Sequence, residues 1–410
     1  MPFQTKKAIM RIAITGASGF VGHSLVPLLH DAGAKIVVIG RDTGKLRVAF
    51  PMSTCCSYDQ MAENVRGFDV VLHLAVANNN LSGPYAEFHA INVQFLSRIL
   101  EICKAGNVRR LVNFSSTHAM NKGDDSHYAK SKREALDLLR GTTGIQITNL
   151  FLPIVYGNRW GGTLAFLNSL PSVLARPAFK ILAALKPTVN VAKIADEVLK
   201  PDGPPATSLI LSDRQSANGV FAFVKRSTDL AFAFAVILFF GWLMLLVWIA
   251  VRLGSAGPGL FAQDRVGQHA AVFTCYKFRT MQVGTVQAGT HETPTHAVTK
   301  LGRFLRKTKL DELPQVWNIL RNEMSVVGPR PCLPVQTELI EERKRLDVLD
   351  VKPGITGLAQ INDIDMSDPV RLAEWDSRYI KLQSLLTDFK ILVLTLTGSG
   401  TGDRIVKTAI

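Results

Sequence analysis

The residues with most to offer chemically form two clusters, far apart in the chain. Asp311 and Glu312 are adjacent carboxylates behind a basic run of Lys300, Arg303, Arg306, Lys307 and Lys309. One carboxylate of such a pair can attack a phosphorus while the other binds Mg2+ or steers the attack. Lys277, Arg279, Arg303 and Arg330 suit the neutralisation of a diphosphate during phosphoryl transfer. Neighbours on a helix point about 100° apart, so the two carboxylates serve one centre only if a helix ends there. The same letters also describe an exposed helix face with weak ion pairs. The second cluster is Tyr128 with Lys132, four residues apart and so on one helix face. A nearby ammonium lowers a phenol's pKa, so Tyr128 can exchange a proton with a carbinol or carbonyl oxygen that Ser116 or Thr117 orients. Taken alone, this spacing is common on surface helices.

These residues need elements to hold them. Residues 11–15 (RIAIT) read as a buried strand, and Gly16, Gly19 and Gly22 follow at once, before a helical pattern from His23 to Ala32. Strand, glycine turn and helix in that order form a pyrophosphate cradle, in which the helix N-terminus faces the phosphates. The second strand, Lys35–Ile39, ends in Gly40-Arg41-Asp42. Arg41 at that tip can pair with a 2′-phosphate and favours NADP(H); Asp42 on the ribose would favour NAD(H). Strands at 69–76 and 110–114, the latter leading into Ser115-Ser116-Thr117, complete an alternating α/β pattern over roughly residues 8–215.

From Leu230 to Val251 the chain reads LAFAFAVILFFGWLMLLVWIAV without a charge. That run of ~22 residues makes ~33 Å of helix, enough to match a ~30 Å hydrocarbon core. The expected division is therefore residues 1–215 as a nucleotide-binding domain, 216–224 as linker, 225–252 as membrane helix and 253–410 as a basic catalytic domain. The chain has 410 residues, 47% apolar and 20% charged, which excludes a disordered or fibrous protein. A net charge of +14 suggests an anionic partner. Five cysteines without regular spacing argue against a disulfide framework or zinc site. The N-terminal apolar run is too short for a signal peptide.

Two families are recognisable in these words. GASGFVG (16–22), VLHLAV (71–76), the helix beginning at Asn92, FSST (114–117), YAKSK (128–132) and LPIVYG (152–157) together resemble the extended short-chain dehydrogenase/reductases that act on nucleotide sugars. The resemblance implies a Rossmann-type doubly wound parallel sheet binding NAD(P), with Tyr128 as proton donor, Lys132 as its partner and Thr117 or Ser116 as the orienting hydroxyl. The loop before Tyr128 is short for that family, and the substrate part after Gly157 is trimmed. Further on, Lys225-Arg226 with Asp229, YKFRTM (276–281), LDELPQ (310–315), NILRNEMSVVGPRP (318–331) and KPGITGLAQ (352–360) resemble the monotopic phosphoglycosyl transferases, or bacterial sugar transferases. This resemblance implies a small, mainly helical α+β domain that moves a phosphosugar from a UDP-sugar to polyprenyl phosphate and releases UMP. Asp311 would form the covalent phosphosugar intermediate, and Glu312 with Mg2+ would assist.

In that family a Ser-Pro pair breaks the membrane helix and makes it re-entrant; this chain has Gly241-Trp242 there. Lys225, Arg226 and Arg252 flank the apolar run, and basic flanks favour the cytoplasmic face. The expectation is a re-entrant helix at the bacterial inner membrane, turned at Gly241, with both domains on the cytoplasmic side. Residues 388–397 read as a further interfacial helix against membrane lipid. Nucleic acid is not an expected partner, because the cations lack interleaved aromatic residues. Joining the halves suggests consecutive steps: NAD(P)-dependent 4-keto reduction of a UDP-sugar, then its commitment to lipid at the start of a lipid-linked glycan. A 4-epimerase or an inactive adaptor are the other readings of the first half.

Overall fold

The computed structural model describes residues 9–77, 83–120, 123–200, 207–285 and 297–398. The chain divides into two compact units, one holding residues up to 179 with 187–213, the other holding 180–186 and residues from 214 onward.

The strands of the first unit are β1 (Arg11–Thr15), β2 (Lys35–Ile39), β3 (Thr54–Cys56), β4 (Val70–His73), β5 (Arg110–Ser116), β6 (Gln146–Leu152), β7 (Ile154–Tyr156), β8 (Thr188–Asn190) and β9 (Thr207–Ile210). Its helices are α1 (Phe20–Asp31), α2 (Thr43–Ala49), α3 (Met61–Asn64), α4 (Tyr85–His89), α5 (Phe95–Ala105), α6 (His127–Arg140), α7 (Ser172–Leu185, which runs on into the second unit) and α8 (Val191–Val198). Seven strands form a parallel sheet in the order β3-β2-β1-β4-β5-β6-β9, and β7 pairs with β8 beside it. Ile12 and Ile14 of β1 pack with α1 and α8 on one face, and Ala13 packs with α5 and α6 on the other. Burial on both faces is why these strands read as unbroken apolar runs. The strand order reverses between β1 and β4, which opens a crevice at their C-terminal ends. The first half is thus an α/β unit with a Rossmann-type doubly wound parallel sheet.

The second unit opens with α9 (Gly219–Gly254), a helix of 36 residues. There follow the antiparallel hairpin β10 (Leu260–Val266) and β11 (Val272–Phe278), α10 (Lys300–Thr308), α11 (Val316–Leu320), β12 (Ser325–Val327), α12 (Thr337–Arg345), β13 (Gly354–Thr356), α13 (Pro369–Leu382) and α14 (Leu385–Leu396). β12 and β13 pair in parallel, Ser325 against Gly354 and Val327 against Thr356. The core gathers Ala233 and Val236 of α9 with Cys275, Val316, Ile319, Met324, Tyr379 and Ile391.

Two expectations need correction here. The stretch 216–224 is mostly not a linker: Asn218 Oδ1 accepts from Val220 and Phe221 N–H and starts α9 at Gly219. Nor does Gly241 turn the membrane segment, because α9 is helical throughout. Glycine keeps its N–H and weakens a helix by only about 1 kcal/mol, whereas proline would break the ladder. Even so, α9 is tied to its own unit at both ends. At the base, Lys225 Nζ donates to Val327 O (3.0 Å) and Asp388 Oδ2 (2.6 Å). Arg226 donates to the carbonyls of Ile319 (2.8 Å) and Leu320 (3.2 Å), and Asp229 Oδ1 accepts from Ser325 Oγ and Val326 N–H, both at 2.9 Å. At the far end, Val247 and Val251 pack on Phe278 and Leu305. The opposite face is bare, with Leu238 and Phe239 at 74% and 66% exposure.

Candidate functional site

In the first unit, Gly16 takes a positive φ of 73°, and a Cβ there would lie 2.4 Å from Ala75 N. At Gly22 a Cβ would meet Ala17 O at 2.3 Å. Both positions therefore admit only glycine, so that β1, the turn and α1 pack closely. Gly19 N-caps α1 without a side-chain bond, and a Cβ there would touch only Gly16 O at 3.6 Å. The approach to the helix N-terminus is thus open. Arg41 is exposed just beyond β2. Asp42 turns away from a ribose role: its Oδ1 accepts from Lys45 N–H (3.0 Å) as the N-cap of α2, and that bond holds its carboxyl low.

Ser126 Oγ caps α6 through Ala129 N–H (3.2 Å), which starts the helix one residue before Tyr128. Tyr128 and Ser116 are hydrogen-bonded side chain to side chain, and Thr117 follows Ser116 at the end of β5. Burial raises the Tyr128 phenol, which the Ser116 bond only partly offsets. The expected lowering by the ammonium is thereby corrected. Lys132 is itself buried, which brings its ammonium down to about 7, and its Nζ donates to Phe114 O (3.4 Å). A residue the sequence did not single out lies beside it: His73, at the end of β4. Its Nδ1 bonds Thr15 Oγ1 (2.9 Å), its Nε2 has no partner among the described residues, and burial followed by the Lys132 charge lowers its pKa to about 3.

In the second unit, Thr299 caps α10, and Lys309 ends it in the left-handed conformation at φ 57°. A short 3-10 helix, Leu310–Gln315, follows α10 at once, with Asp311 and Glu312 in its first turn, and both line one cavity. Glu312 Oε1 accepts from Lys277 Nζ (2.8 Å) and Arg330 Nη2 (2.9 Å). Burial opposes ionisation of Glu312, but Arg330 and Lys277 outweigh it and hold the carboxyl far below its ordinary range. Asp311 goes the other way: burial, then the Glu312 charge, pushes it up to about 6 against Lys277, Arg306 and Arg330. Interlocked backbone positions Arg330. Gly328 N–H donates to Thr356 O (2.8 Å) and Gly354 N–H to Pro329 O (2.8 Å), and a Cβ on Gly354 would sit 2.1 Å from Gly328 N.

A cavity of about 1150 Å³ joins these groups. Asp311, Glu312, Lys277, Arg303, Arg306 and Arg330 line it together with Phe232 and Val236 of α9. Arg303 is exposed at its margin. Arg279 also lines the cavity, and its guanidinium donates to the carbonyls of Val251 (3.3 Å), Ser255 (2.8 Å) and Ala256 and to Ser255 Oγ (2.9 Å), so it caps the C-terminal end of α9 as well. Arg306 belongs with the site for its field on Asp311. The basic run before Asp311 carries it, and Arg303, Lys307 and Lys309 of that run line the cavity too.

Residues 220–400 match the family model for bacterial sugar transferases, and residues 12–178 match the NAD dependent epimerase/dehydratase family. Over 177 residues the chain is 39% identical to an uncharacterized sugar transferase, EpsL, of Bacillus subtilis (strain 168), covering 42% of this chain and 85% of that protein. The chain belongs to the bacterial sugar transferase family. It is also similar to the UDP-glucose:undecaprenyl-phosphate glucose-1-phosphate transferase of Escherichia coli (strain K12), 38% identical over 190 residues, 44% of this chain and 40% of that protein. The chain spans less than half the length of the longer curated relatives it matches. Among solved structures, the Bordetella bronchiseptica enzyme WbmG in complex with NAD and UDP aligns with a TM-score of 0.40 at 21% identity, over 50% of this chain and 73% of that one.

Proposed function

We propose that this bacterial sugar transferase moves a phosphosugar from a UDP-sugar to polyprenyl phosphate. The observation that carries the reading is the cavity that places Asp311 and the Glu312–Lys277–Arg330 network beside apolar side chains of α9. A diphosphate suits the first and a prenyl chain the second. The Asp311 carboxylate attacks the sugar-bearing phosphorus, the bridging P–O bond breaks, and UMP leaves. A phosphate oxygen of the polyprenyl phosphate then attacks the same phosphorus and returns the carboxylate. Lys277 and Arg330 fix Glu312 beside the reacting oxygens. The pair offers Mg2+ two carboxylates, and Mg2+ commonly takes one or two, completing its shell with water and substrate phosphates. Asp311 and Glu312 would hold the ion, which supplies charge neutralisation on the diphosphate. The E. coli relative, whose name specifies UDP-glucose and undecaprenyl phosphate, supports this substrate class.

The contacts that tie both ends of the unbroken helix α9 to its own unit support a helix lying in the membrane interface, with both units at the cytoplasmic face of the inner membrane, where nucleotide sugars are made. A membrane-impermeant thiol reagent on sealed cells should leave Gly254→Cys unlabelled; strong labelling sinks this topology.

For the first unit we propose NADP(H) binding at Gly16, Gly19 and Gly22, with Arg41 on the 2′-phosphate, and 4-keto reduction of the UDP-sugar. Asp42, spent as a cap, favours this over NAD(H). The bound cofactor supplies a hydride. Tyr128 gives its proton to the carbonyl oxygen, and Ser116 or Thr117 orients that oxygen. The match to an epimerase/dehydratase family supports a 4-epimerase as the second reading.

The test is UMP release in detergent with Mg2+, undecaprenyl phosphate and a panel of UDP-sugars, with and without NADPH. Release from wild type and none from Asp311→Asn is expected; equal release from both overturns the covalent route. Stoichiometric NADPH consumption with a 4-keto donor marks a reductase, and sugar interconversion without it marks an epimerase.

A further inference from the structure

One face of the chain fits neither activity. No Asp or Glu occurs between Asp137 and Asp196, while Arg159, Arg176, Lys180 and Lys186 stand exposed there. No salt bridge among the described residues involves any of the four. Large apolar side chains are exposed in the same stretch: Val173 is 80% exposed, Leu174 59%, Ile181 52%, and Phe166 in the segment before α7 55%. On α7, positions 173, 174 and 181 fall within one face, and Arg176 and Lys180, four apart, line its edge. A soluble surface disperses its apolar residues and mixes its charges. An apolar stripe bordered only by cations is the composition of a helix lying in an anionic lipid interface. A second copy of the chain is a poor occupant, because a two-fold contact would set this cationic rim against itself. The C-terminal turns of α7 are also bonded to the start of the apolar helix. Asn218 Nδ2, at the cap of α9, donates to Lys180 O (2.9 Å), and Gln215 Nε2 donates to Ala183 O (2.6 Å).

We propose that α7 and the segment before it rest on anionic lipid headgroups, a bilayer contact separate from that of α9. Val173, Leu174 and Ile181 enter the headgroup boundary, and Arg176 and Lys180 pair with lipid phosphates. The proposal rests on neither catalytic reading.

The test uses the full chain in single-copy nanodiscs, with an environment-sensitive fluorophore on Val173→Cys and, as control, on Val48→Cys of α2, where Val48 is 84% exposed. Among the native cysteines four are buried and Cys55 is half-buried, so background labelling is small. Nitroxide lipids in phosphatidylglycerol discs should quench the Val173 label several-fold more than the Val48 label. The excess should vanish in phosphatidylcholine discs and with Arg176→Glu/Lys180→Glu, while α9 keeps the protein in the disc. The lipid comparison needs no charge variant, so misfolding of that variant does not void the test. Equal quenching at the two sites overturns the proposal, as does quenching indifferent to lipid charge. Shielding of Val173 that appears without lipid as protein concentration rises assigns the face to a second copy instead.

Discussion

Asp311 is held where its charge is costly. Its carboxyl titrates near 6 instead of 3.8, because burial and the neighbouring Glu312 outweigh three cations. In the proposed reaction the protonated acid cannot attack, so kcat/KM for UMP release should fall as pH drops through about 6, read from its pH profile. The folded state also keeps a proton that the unfolded chain loses between about pH 4 and 6, so stability declines with rising pH across that window. The ceiling on this effect is on the order of 3 kcal/mol, at 1.36 kcal/mol per pKa unit. Asp311→Asn should therefore raise the thermal midpoint at pH 8 and leave it nearly unchanged at pH 4. Glu312 behaves oppositely. Glu312→Gln removes the buried charge that Lys277 and Arg330 both meet, and loss of one partner of a buried ion pair costs about 3 kcal/mol. Denaturant midpoints in detergent should show that loss together with reduced UMP release. The carboxylate pair was legible in the sequence because both residues are adjacent to a basic run. The opposite shifts were not, since they depend on Lys277 and Arg330, which come from other segments.

At the scale of elements, legibility followed burial. β1 and β4 stand out as apolar runs because both faces of their sheet are covered, and the glycines beside β1 are dictated by contacts with Ala75 and Ala17. Arg279 shows the limit. A cation two residues after Lys277 reads as a second phosphate ligand, but only the fold reveals the carbonyls at the end of α9 that it satisfies. The base of α9 is similar: Lys225, Arg226 and Asp229 are conspicuous letters whose work is mechanical. The glycines of the β12–β13 crossing make a sharp test. Gly354→Ala places a methyl against Gly328 N, and so tight a backbone contact should destabilise by more than about 2 kcal/mol and displace Arg330. Thermal midpoint and UMP release should fall together.

At the scale of the whole molecule, the two units hold separate sets of reactive groups. Tyr128→Phe should abolish any NADPH oxidation yet leave UMP release from a preformed donor unchanged, and Asp311→Asn should do the reverse. Both rates, measured on the same preparations, check this. Loss of both rates in either variant would mean that the units work as one.

The end of β11 has a mechanical consequence. Lys277, which grips Glu312, and Arg279, which grips the last carbonyls of α9, are two residues apart. So short a lever has little slack, and a shift of the helix is delivered to the reaction centre. Lipids with longer or shorter acyl chains should then change the turnover of UMP release in nanodiscs without touching either substrate, making the thickness of the surrounding bilayer an input to the rate.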